Sequence, residues 1–253
     1  MRFNRYLPLA TPFLSLIFLE FYSFNARIIY IMLAFLFLLF FFTIRQFVVE
    51  SEKNENAWNY CLLPFLFLLS GVMFSSLMPY GYLVQILIII IFLFLNFYFR
   101  SVYEFLLKPS YYKKNALENF SSYGNFLTLY FFASAVYGFQ SFLGIDVWII
   151  MIFLLLVITL IVYQVFWANK ILTKASLLYI IILPLTYIEL AWSISFLSLS
   201  FYILGLILAV AYYIGIGIVR FYLIGKLNAQ IIKMYLIFGF LSIFAVIFTA
   251  RWI

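Results

Sequence analysis

Nine apolar stretches, each close to the roughly 20 residues a helix needs to cross a ~30 Å hydrocarbon core, divide this 253-residue chain. A polypeptide built this way has lipid as its main solvent. Its residues are 68% hydrophobic and 9% charged, against about 45–50% and about 25% in soluble domains, so no soluble fold could hide the apolar surface. The expected fold is all-α: a polytopic transmembrane bundle of about nine spans arranged as consecutive hairpins. The spans are placed at 6–24, 28–44, 58–80, 82–99, 123–142, 147–168, 177–197, 201–219 and 234–250.

The loops alternate between tight and basic. Those after the first, third, fifth and seventh spans are short, as at Asn25-Ala26-Arg27 and Gly144-Ile145-Asp146, while the others are longer and carry cations. Arg2, Arg5, Arg45, Lys53, Arg100, Lys108, Lys113, Lys114, Lys170, Lys174, Arg220, Lys226 and Lys233 fall on one side of the zigzag. Only Arg27 and Arg251 fall on the other. Basic loops resist translocation, so the N-terminus is expected in the cytoplasm and the C-terminus outside. The basic run before the first span resembles a secretory signal, but its apolar stretch is long and no small-x-small site closes it, which favours a retained helix. The longest cytoplasmic stretch, 100–122, mixes apolar residues with Lys108, Lys113 and Lys114. It is expected to lie along the inner headgroups until Pro109 breaks it.

One integral membrane domain accounts for residues 1–253. Within it, four helical hairpins near 6–45, 60–100, 123–168 and 178–220 form a candidate repeat, followed by a final span at 234–250. Parallel repeats of this kind occur in transporters.

The residue inventory excludes most site chemistry. There is no His, one Cys at position 61 and one Asp at position 146, so neither a zinc site nor imidazole-based nucleophilic catalysis can be assembled in the usual way. No metal and no cofactor is expected, and Cys61 reads as a small apolar residue. The positive charge is spread over short loops, which points to anionic headgroups rather than nucleic acid. The expected partners are the lipid bilayer and a further membrane protein.

Two carboxylates fall inside spans. An acidic residue at a helix centre costs about 2.5–3.5 kcal/mol, and each Leu, Ile, Phe or Val returns about 0.3–0.6 kcal/mol. Ten such apolar residues accompany Glu20 and twelve accompany Glu189, so both spans insert with a reduced margin. Intramembrane carboxylates are functional candidates by default. Glu189 reads as near mid-span, in a polar stripe with Thr186 and Ser193, and Pro184 leaves the Ile180 carbonyl without its helical donor. Glu20 lies near the outer end of its span, where Arg27 is a candidate counter-ion. Glu189, Thr186, Ser193 and Glu20 are therefore the candidate substrate- or ion-binding residues.

The fifth span is the most polar, with Asn125, Thr128, Ser134, Tyr137, Gln140 and Ser141, whereas the second and sixth have almost no polar atoms. The first, fifth and seventh spans are accordingly expected around the interior, and the second and sixth toward lipid. Small residues spaced by four, among them Ser134 with Gly138, Gly205 with Ala209 and Ala211 with Gly215, point to close helix contacts. The leading functional expectation is a transport or export component with an acidic intramembrane site, in a bacterial cytoplasmic membrane. The alternatives are a non-catalytic subunit packing against a partner, and a membrane-embedded transferase using Glu20 or Asp146 near the outer face. The balance leans away from an enzyme.

Overall fold

The computed structural model describes residues 6–51 and 55–249. Arg2, Arg5, Lys53, Ala250, Arg251 and Trp252 lie outside the described residues. Among the described residues nine α-helices follow one another: α1 (Leu7–Phe24), α2 (Ile29–Glu50), α3 (Ala57–Ser75), α4 (Gly81–Leu107), α5 (Ala116–Leu143), α6 (Val147–Ala168), α7 (Lys174–Ile194), α8 (Phe201–Leu223) and α9 (Ala229–Thr249). Each is long and apolar enough to cross a membrane, and no strand occurs among the described residues. The protein is an all-α, multi-pass membrane protein.

The helices start and stop where local chemistry allows. Thr173 caps α7 by accepting from the Ser176 amide at 3.2 Å, while Ser176 Oγ accepts from the Thr173 amide at 2.7 Å, a reciprocal box that satisfies two donors. Gly144 and Gly225 follow α5 and α8 with φ of 64° and 72°. Only glycine takes that left-handed closing turn without a Cβ penalty.

The expectation of a surface-lying segment over 100–122 is corrected. Residues 100–107 continue α4 and residues 116–122 begin α5, leaving only 108–115 as connection. Pro109 does end the helix, because the residue before a proline is pushed out of the α region. Tyr112 ties this connection together. Its hydroxyl donates to Glu118 at 3.0 Å and accepts from the Leu117 amide at 3.0 Å. Burial, reinforced by the Glu118 carboxylate, pushes the phenol up to about 12.

The chain divides into two compact units, Met1–Gly124 and Asn125–Ile253, with the boundary inside α5. In the first, α1 packs along α4 and α2, and α3 lies against both α2 and α4. The buried face of α1 is Pro8, Thr11, Pro12, Ser15, Leu19 and Tyr22, a three-and-four spacing. Thr11 and Thr43 hydroxyls, both buried, join α1 to α2 at 3.0 Å. Residues 60–64 of α3 are buried without interruption. Lone Cys61 is among them, packed as an apolar side chain.

In the second unit α6 packs on α7, α7 on α8 and α8 on α9. Residues 131–138 of α5 are buried on every side. Gly205 of α8 brings the two backbones together, since a Cβ there would lie 2.7 Å from the Ser134 backbone nitrogen. The small-residue spacing thus marks a real helix contact. A Cβ at Gly215 would collide with the Tyr187 hydroxyl, and that hydroxyl donates to the Tyr212 carbonyl at 3.2 Å.

The interior placement holds for α5 and fails for α7, and the lipid-facing placement fails for α6. Leu154, Ile158, Ile161, Val162 and Phe166 of α6 are fully buried, whereas most of α7 is exposed or half-buried. Lipid tails are as apolar as leucine, so an apolar helix gains nothing by choosing lipid over protein. Polarity alone therefore could not place α6.

Candidate functional site

Glu20 lies four residues before the end of α1, and Gln85 lies four residues after the start of α4. Because α1 and α4 pack along one another, these two positions meet. Gln85 Nε2 donates to Glu20 Oε2 at 3.1 Å. The carboxylate is half-buried, and its partner is this amide rather than Arg27, with which it forms no ion pair; the expected counter-ion is thereby replaced. A glutamine suits the role because its amide satisfies one carboxylate oxygen without neutralising the charge.

Gln85 has a second surface. Together with Tyr22, Ser23, Ser75, Gly81 and Val84 it lines a cleft of about 400 Å³ between the adjoining ends of α1, α3 and α4. Ser75 Oγ stands 3.4 Å from the Tyr22 hydroxyl and 2.7 Å from the Val72 carbonyl. Gly81 has open space where a Cβ would project, so the cleft stays accessible at the start of α4. The arrangement offers one carboxylate, one amide carbonyl and two hydroxyl oxygens on neighbouring helices. Such hard oxygens suit a proton or a hard cation. Among the described residues, no three Cys, His, Asp or Glu side chains come together.

Glu189 is placed differently from the mid-span expectation. With α7 running from Lys174 to Ile194, Glu189 lies only five residues, about 7 Å, from the end of its helix. The capping box at Thr173 starts the helix earlier than its apolar run does, and the helix ends at Ile194, before the expected end at Leu197. Glu189, Thr186 and Ser193 are all exposed. The two hydroxyls are engaged by their own helix: Thr186 donates to Leu183 O and Ser193 to Glu189 O, each at 2.8 Å. The opposite face of α7, including Leu183, Pro184, Tyr187 and Ala191, is the one that packs. The stripe therefore exists, but it points away from the α7 contacts.

Of one buried polar pair across helices, the sequence singled out Asn125 but not its partner Gln164. Asn125 Nδ2 donates to Gln164 Oε1, joining α5 to α6 through fully buried amides. Gln164 sits in the helix whose apolar run had suggested a lipid-facing span. Tyr22 and Ser75 of the cleft were also missed; each lies in an apolar run, and only the packing of α1 against its neighbours turns them toward one another. Gln85 and Asn96 are eleven residues apart in α4, which returns them to nearly the same helix face. Only Gln85 reaches the carboxylate, and Asn96 Oδ1 is buried with no hydrogen-bond partner.

A family model described as "Protein of unknown function (DUF5656)" matches residues 9–249. No curated protein and no solved structure matches the chain.

Proposed function

The chain belongs to the DUF5656 family, whose description assigns no activity, and on that premise we propose that the protein is a transport or export component whose acidic site is Glu20. The observation that supports this reading is the Glu20–Gln85 pair beside an open, oxygen-lined cleft. A carboxylate in partial burial exchanges a proton or a cation for its hydrogen-bonded state, and that exchange is the elementary step of coupling to an ion gradient. Gln85 holds the unloaded carboxylate, and the Tyr22 and Ser75 oxygens stand in the neighbouring cleft. The bacterial cytoplasmic membrane is the setting that the minimal loops and basic connections favour, with Glu20 near its outer face.

Glu189, Thr186 and Ser193 take a secondary place in this reading. A carboxylate five residues from a helix end can reach interfacial water along its own stem, so its exposed position requires no ligand.

The test is ion flux into sealed proteoliposomes loaded with a pH-sensitive dye. Wild-type protein should carry a flux that depends on the proton or alkali-cation gradient. Glu20→Gln should reduce it at least about tenfold, equivalent to 1.4 kcal/mol, and Gln85→Leu should reduce it less. Glu189→Gln should leave it intact. Flux unchanged by Glu20→Gln, or abolished by Glu189→Gln alone, would move the site elsewhere.

A further inference from the structure

At the opposite end of the α1–α4 pair, two cations meet. Helix α4 begins at Gly81, and its first charged residue is Arg100, nineteen residues on, or ~30 Å of helix. That length is the thickness of the hydrocarbon core, so the last two turns of α4 project into the headgroup layer. There Pro8 and Leu9 of α1, with Arg100, Tyr103, Glu104 and Lys108, line a cleft of about 260 Å³.

The charges in this cleft are not used up. Arg100 gives its Nε to Glu104 at 2.9 Å, and a guanidinium carries five donors, so both Nη groups remain available. Lys108 Nζ lies 5.6 Å from the Tyr103 ring centre and 5.9 Å from that of Tyr111, a double cation–π seat. No carboxylate of the described residues lies within ion-pair distance of it. Glu104 offsets one cation, which leaves the cleft net positive. Its apolar wall is Pro8, buried, and Leu9, exposed.

We propose that this cleft binds the phosphodiester headgroup of an anionic phospholipid. The planar Arg100 guanidinium holds two phosphate oxygens, Lys108 supplies the second positive contact, and Leu9 and Pro8 meet the glycerol and upper acyl carbons. A cationic pocket between helices on the basic side of a membrane protein has the chemistry that selects anionic headgroups from zwitterionic ones. The site is independent of Glu20, which lies at the other end of α1.

The intact protein in detergent micelles is melted with added phosphatidylglycerol or phosphatidylcholine at equal mole fraction. Phosphatidylglycerol should raise the midpoint by about 2–4 °C more than phosphatidylcholine. The double variant Arg100→Gln/Lys108→Gln should lose that difference, while Lys226→Gln, an exposed cation outside the cleft, should keep it. If the double variant melts lower than wild type even in phosphatidylcholine, Lys108→Gln alone is read by the same criterion, since its ammonium has no carboxylate to orphan. Equal shifts from both lipids, or a difference that survives loss of the cations, would overturn the proposal. Inorganic phosphate or glycerol phosphate reproducing the full shift would overturn the lipid assignment in favour of a free anion.

Discussion

Tyr98 of α4 donates its hydroxyl to the carbonyl of Tyr60 in α3 at 2.8 Å, and that carbonyl is the one whose helical donor is removed by Pro64. A proline inside a helix frees the acceptor four residues before it, and in hydrocarbon no water is there to take its place. The fully buried Tyr98 supplies the missing donor from the neighbouring helix. Tyr98→Phe should therefore destabilise the detergent-purified protein by about 1 kcal/mol. In a Pro64→Ala background, where the carbonyl regains its amide, the same change should cost less. A four-variant thermal-melting cycle measures the coupling, and full additivity would show that the two residues act separately.

Gly205 tests the contact between α5 and α8. With the Ser134 backbone nitrogen 2.7 Å from where a Cβ would sit, Gly205→Leu has to push the helices apart. Overpacking of this kind costs about 1–3 kcal/mol. Ala34 lies on the exposed face of α2, so Ala34→Leu should change the melting midpoint little. Equal losses at the two positions would contradict the packing.

Two buried tyrosines should respond in opposite directions to loss of the hydroxyl. Tyr137 donates to the Ala191 carbonyl at 2.8 Å, whereas the Tyr212 hydroxyl is buried without a hydrogen-bond partner. Tyr137→Phe should destabilise by about 1 kcal/mol, and Tyr212→Phe should be neutral or stabilising by up to about that amount. Comparative melting in one detergent reads both.

Orientation is tested with reporter fusions. Fusions after Lys114 and after Lys174 should report the cytoplasm, and a fusion at the C-terminus should report the exterior, following the distribution of Lys and Arg over the loops. A cytoplasmic C-terminus would mean that one of the nine helices does not cross, with α9 the first to be examined.

The long apolar runs determined the helical class and the helices long enough to cross a membrane without help from tertiary structure, because a 20-residue apolar stretch in lipid has one economical way to satisfy its backbone. The polarity of α5 likewise disclosed an interior helix, since Asn125, Thr128 and Ser134 need protein partners or protein cover, and all three are buried. The spacing of Gly205 and Ala209 disclosed a close contact for the same reason: small residues pack where large ones cannot. Tertiary structure alone decided which apolar helices are covered, because leucine has nearly equal surroundings in lipid and in protein. It decided too which carboxylate gains a hydrogen-bond partner from another helix. Glu20 and Glu189 are each an acid in an apolar run, and the sequence put Glu189 near mid-span and Glu20 near the outer end of its helix. One meets Gln85 across a helix pair and the other faces outward from α7, a distinction that depends on helix register and neighbours and that no local pattern contains.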